Sequence, residues 1–146
     1  VTAEWGLGGV VGATTGAVAG DFDNDSRPDL LLLASDGLRL VAQRAAGAFE
    51  EVRDPAIAAE AGGPVRAAAF VDVDHDGDLD IFAGGLTRDR PQASGGWAAL
   101  GALPGAASHL LRNNGNRTFT DVTAPAGLAG ETMVVAIGPT DFDNRR

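Results

Sequence analysis

The chain has 146 residues, 45% of them hydrophobic, which is enough for one globular domain with a buried core. It lacks cysteine, which removes disulfides and thiolate metal sites, and its 11 basic residues, all arginine, face 20 acids for a net charge of −9. That balance argues against nucleic acid or an anionic membrane as the main partner and suits cations. No apolar run reaches the ~18 residues of a spanning helix, and the opening VTAEWGLGG has neither the charged nor the apolar region of a signal peptide.

Residues 1–7, VTAEWGL, match VTAPAGL at 122–128, so the chain opens on the end of a repeated unit. The first full unit occupies 8–58. Its expected strands are GAVAGDF (16–22), DLLLLAS (29–35), GLRLVAQ (37–43) and AFEEV (48–52), with a turn at Ser35-Asp36-Gly37. The alanine-rich stretch 56–61 admits a helical turn. A second unit occupies 59–128, with VRAAAFVDV, LDIFAGG, SHLLRNN and RTFTDVT in the same places and NNGN (113–116) as a hairpin signal.

The acidic starts lie at Asp21, Asp72 and Asp141, intervals of 51 and 69 residues. The extra length falls at about 87–107, between the second and third strands of the second unit, and Trp97 there is expected to pack that loop down. Residues 129–146 begin a further unit. The pattern predicts an all-β fold of antiparallel four-stranded propeller blades, with about two and a half blades present. Closed propellers have roughly four to eight blades, so the remaining ones are expected from a longer protein or from neighbouring copies.

DFDNDSRPD (21–29) and DVDHDGDLD (72–80) both read D-x-D-x-D-x-x-x-D. On a tight loop these carboxylates converge, and their repulsion requires a counter-ion. Hard oxygen donors in a flexible cage favour Ca²⁺ over Mg²⁺. The expected ligands are the side chains of Asp21, Asp23, Asp25 and Asp29 with the Arg27 carbonyl, and those of Asp72, Asp74, Asp76 and Asp80 with the Asp78 carbonyl. Gly77 supplies the turn at position 6, where the first loop has the less permissive Ser26, and His75 at position 4 is expected to face solvent. The third copy gives Asp141 and Asp143 but then Arg145, an incomplete set that makes a third calcium site doubtful. EF-hands and dockerins share the opening, but position 12 is Leu32 or Ala83 rather than a bidentate acid, and Pro28 favours extended chain.

With these motifs, and with LLRNNGNRTFTDVTAPAGL at 110–128, nearly the whole chain resembles the FG-GAP, or VCBS-type, repeats of integrin-α-like β-propellers. The resemblance implies a secreted or cell-surface protein, calcium as a structural ion, and a role in adhesion or ligand display.

The expected function is a non-catalytic, calcium-stabilised binding or scaffold module with a protein or carbohydrate ligand, no nucleic acid and no membrane insertion. One alternative is a propeller-type carbohydrate lyase or hydrolase, but the clustered acids are accounted for by metal, and the only histidines are His75 and His109. Another is a subunit of a surface fibre built by strand addition. The sequons at Asn24 and Asn116 matter only in a host that glycosylates secreted proteins.

Overall fold

The computed structural model describes residues 4–8, 14–59, 65–86, 105–132, 134 and 136–140. The span 87–104, Trp97 within it, and Asp141 and Asp143 of the third acidic copy lie outside these residues. β1 (Thr14–Gly20), β2 (Asp29–Ala34), β3 (Gly37–Gln43) and β4 (Phe49–Val52) form one antiparallel sheet in chain order. β5 (Val65–Val71), β6 (Asp80–Leu86), β7 (Gly105–Asn113) and β8 (Phe119–Asp121) form a second in the same order. The short β9 (Glu131–Thr132) pairs with the start of β7. Among the described residues helix is confined to a 3-10 turn at Ala45–Gly47 and the single-turn α1 (Pro55–Ala59), and none is long and apolar enough to cross a membrane.

The repeat seen in the sequence holds in the backbone register. Gly20 pairs with Asp29 and Val71 with Asp80, so each acidic loop is the connection of a hairpin. The far ends of β1 and β5 carry a register shift at equivalent places, Thr14/Gly16 and Val65/Ala67. One boundary differs from the sequence reading. β7 starts at Gly105, inside the expected insertion, because Gly105 pairs with Leu86 while Ala106 and Ala107 pair with β9.

β2 explains its unbroken leucines by position. Leu31, Leu32, Leu33 and Ala34 are all buried, because a central strand covered on both faces does not alternate. Leu31 and Leu33 join Leu40, Ile81, Leu111 and Phe119 in the core between the sheets. The innermost strands meet at Gly20: a Cβ there would stand 2.6 Å from Cδ2 of Phe70 on β5, so only glycine lets the two sheets approach this closely. Phe22, the second residue of the first acidic loop, is 1% exposed and stacks on Phe119 of the second sheet, ring centres 6.0 Å apart. The first loop is thereby anchored to both sheets.

Candidate metal centre

In each hairpin the first and last aspartates build the loop before any ion is considered. Asp21 accepts the N–H groups of Asp25 (2.9 Å) and Ser26 (2.8 Å), and Asp72 accepts those of Asp76 (3.2 Å) and Gly77 (3.1 Å). These bonds curl the chain back over its own start and require left-handed backbone at positions 4 and 6: φ 56 at Asn24, 66 at Ser26, 60 at His75 and 93 at Gly77. Ser26 therefore takes the glycine conformation at a steric penalty that Gly77 avoids.

Asp29 and Asp80 close the loops from below. Both are fully buried. Asp29 accepts from Phe22 N–H (3.1 Å) and Gln43 N–H (2.7 Å), and Asp80 from Val73 N–H (2.9 Å) and Asn113 N–H (2.8 Å). Each carboxylate thus ties its loop to the end of the third strand of its sheet. Burial pushes the Asp29 carboxyl above the usual carboxylate range, with repulsion from Asp23 and Asp25 adding to the shift, against the pull of its two N–H donors. Asp80 is raised for the same reason, with Asp74 and Asp76 as the repelling neighbours.

The structure brings together Asp21, Asp23 and Asp29 in one group and Asp72, Asp74 and Asp80 in the other, each offering carboxylate oxygens within 4.8 Å of one another. These are positions 1, 3 and 9 of the expected ligand sets. Position 5 makes bonds of its own within the loop. Asp25 accepts the Arg27 N–H at 2.9 Å and pairs with the Arg27 guanidinium, and Asp76 accepts the Asp78 N–H at 2.9 Å. Asp25 and Asp76 thus hold the chain that carries the carbonyls of position 7. His75 is exposed, as expected of position 4.

The first group fits a cation on an observation of its own. The Asp23 side chain is only 9% exposed, and its Oδ1 is buried without a hydrogen-bond partner, although three carboxylates converge there. A buried carboxylate oxygen left unpaired is costly, and a bound cation satisfies it. The donors are hard oxygens, the set that takes Ca²⁺, Mg²⁺ or Mn²⁺ rather than zinc.

Several contacts that organise the site do not follow from the sequence. Asn113 is 2% exposed, and its amide donates to the carbonyls of Phe22 (2.8 Å) and Leu79 (3.2 Å), bridging both loops. Asn24 donates to Asp78 Oδ1 across the loops at 2.6 Å. Asp54 caps α1 through Ala56 N–H (2.8 Å) and also accepts Phe119 N–H (3.2 Å), joining the tail of the first sheet to the second. The NNGN signal locates the turn that follows Asn113, but nothing in one sequence shows that a side chain reaches across to another repeat.

Residues 21–83 match the family model of the FG-GAP-like repeat. The match runs from the first acidic loop through β2, β3, β4 and β5 and over the second loop into β6, one period of the repeat and the acidic loop that begins the next. Over this segment the chain is similar to an FG-GAP-like repeat. No curated protein and no solved structure matches it. The FG-GAP-like segment includes both aspartate groups.

Proposed function

We propose that the chain is part of a calcium-stabilised, extracellular β-propeller whose role is adhesion, ligand binding or scaffolding rather than catalysis. The observation that carries the calcium reading is the buried, unpartnered Asp23 Oδ1 beside Asp21 and Asp29, in a donor set repeated 51 residues on at Asp72, Asp74 and Asp80. Calcium would neutralise each group and take up the oxygens that the loop backbone leaves free. Asp21 and Asp72 curl the loop, Asp29 and Asp80 anchor it to the sheet, and Asp23 and Asp74 complete the cluster.

Two features support the reading of the sheets as blades. Both have four antiparallel strands in chain order, and they pack through their first strands. Val73, the equivalent of the buried Phe22, is 41% exposed, an apolar contact that suits coverage by a further unit of the same kind. The family match favours a surface module, and the engagement of the clustered acids in loop building leaves them poorly placed as acid and base.

The test is thermal unfolding and calorimetric titration of the chelator-treated chain with CaCl₂. Binding at two sites with a raised midpoint is expected. An unchanged midpoint together with no heat of binding rules out a structural calcium ion.

A further inference from the structure

Five residues join β3 to β4 and five join β7 to β8, and the fourth of each has left-handed backbone: φ 82 at Gly47 and φ 68 at Arg117. In the first sheet this position is glycine, with nothing within 4 Å of where its Cβ would stand. In the second it is arginine, a residue type that this backbone disfavours. The turn therefore does not account for Arg117. What its side chain does is cross the junction between the sheets, placing Nε 3.3 Å from Oδ2 of Asp23, on the carboxylate whose other oxygen is buried and unpartnered. Arg44 of the first sheet lies 3.7 Å from the same Oδ2. Among the described residues Asp72, Asp74 and Asp80 have no arginine partner.

We infer that Arg117 is a resident counter-charge on the cation site of the first loop, holding that site below the second loop in affinity and tying its filling to the sheet-to-sheet junction. This rests on the calcium reading above. The guanidinium and the cation share one carboxylate, so the ion enters against a like charge and draws Asp23 away from the β7–β8 hairpin. The second loop meets no such opposition and fills first. A unit charge roughly 6 Å from a divalent ion changes its affinity on the order of tenfold at the permittivity of water. Arg117 is 42% exposed, so salt screens part of this and the effect falls between about threefold and tenfold.

The experiment is a CaCl₂ titration of the whole chain and of R117G, followed by calorimetry and by the amide resonances of Ser26 and Gly77. These amides donate to Asp21 and Asp72 and so report the two loops separately. Glycine is chosen because Gly47 holds the same backbone conformation in the first sheet; R117Q serves as a second neutral variant. The wild-type chain is expected to move Gly77 before Ser26. R117G and R117Q are expected to tighten the Ser26 step about three- to tenfold at low salt, to leave the Gly77 step unchanged, and to lose the difference in high salt. An unchanged or weakened Ser26 step, or a shift in the Gly77 step instead, overturns the inference while leaving calcium binding intact. Absence of binding at both amides overturns the calcium reading and the inference together.

Discussion

The side-chain amide of Asn113, at the end of β7, donates to the backbone carbonyl of Phe22 in the first acidic loop at 2.8 Å, although 91 residues separate them. The same amide holds Leu79 O, and its Oδ1 accepts Gly115 N–H, so a single buried side chain serves both loops and its own hairpin. Asn113→Ala leaves Phe22 O buried without this donor. The expected loss is about 2 kcal/mol of unfolding free energy, the usual consequence of stranding a buried polar group. Urea denaturation of the two proteins measures it, and a difference below about 0.5 kcal/mol would mean that the bridge contributes nothing net.

Building a loop and holding an ion are different tasks for its aspartates. Asp80 is fully buried and receives two N–H groups, whereas Asp74 is exposed and accepts no hydrogen bond from the described residues. Asp80→Ala is therefore expected to destabilise the chain even in chelator, by about 2–4 kcal/mol for two stranded donors. Asp74→Asn is expected to be neutral or slightly stabilising in chelator, since it relieves repulsion with Asp72 and Asp80. In calcium it should forfeit the loop's share of stabilisation, about 2.7 kcal/mol at a hundredfold excess over Kd. Paired urea curves with and without calcium separate the two effects. Equal losses for Asp74→Asn in both conditions would contradict the division of labour.

This division marks what one sequence can disclose. The strands were legible because local rules set them: four leucines in a row for a doubly covered strand, glycine and asparagine for turns, acids at alternate positions for a loop. Positions 1, 3 and 9 of the aspartate groups were legible for the same reason. The bonds that Asp25 and Asp76 make were not, because they depend on partners within the loop, the Arg27 side chain and the N–H groups at position 7. Asn113, Asp54 and Arg117 were hidden more deeply. Their partners Phe22, Phe119 and Asp23 lie in the other repeat, and where one repeat sits on the next depends on packing between them, as of Phe70 on Gly20 and of Phe22 on Phe119.

Asp54 offers a test of that packing away from the metal loops. One oxygen receives Ala56 N–H at the start of α1, and the other receives Phe119 N–H at the edge of the second sheet. Asp54→Ala removes a helix cap and an inter-sheet hydrogen bond together, so about 2 kcal/mol of destabilisation is expected. Because Asp54 belongs to neither aspartate group, the loss should be the same with and without calcium. Hydrogen exchange at Phe119 N–H should quicken in the variant. Unaltered protection of that amide would place the inter-sheet linkage elsewhere.

Asp121, which belongs to neither aspartate group, contributes to the acid limb of the stability profile independently of any ion. Its Oδ1 accepts the Thr123 hydroxyl at 2.5 Å and the Thr123 N–H at 2.8 Å, and Thr123 Oγ in turn accepts Leu110 N–H at 3.0 Å. The Thr123 hydroxyl first, and then its N–H, hold the Asp121 carboxyl below its usual range, with a smaller contribution from His109, whose Nδ1 lies 4.0 Å from Oδ2. A carboxyl depressed in the folded state binds its proton more tightly when unfolded, so its stabilisation is complete above the ordinary carboxylate value of about 4 and is lost as pH falls through the depressed value. The group is half exposed, which keeps the contribution below about 1 kcal/mol. Asp121→Asn should thus lower the urea midpoint at pH 6, and the gap to wild type should narrow as pH falls below the ordinary carboxylate value of about 4. A gap that stays constant as pH falls would assign the effect of the substitution to lost packing rather than to the charge.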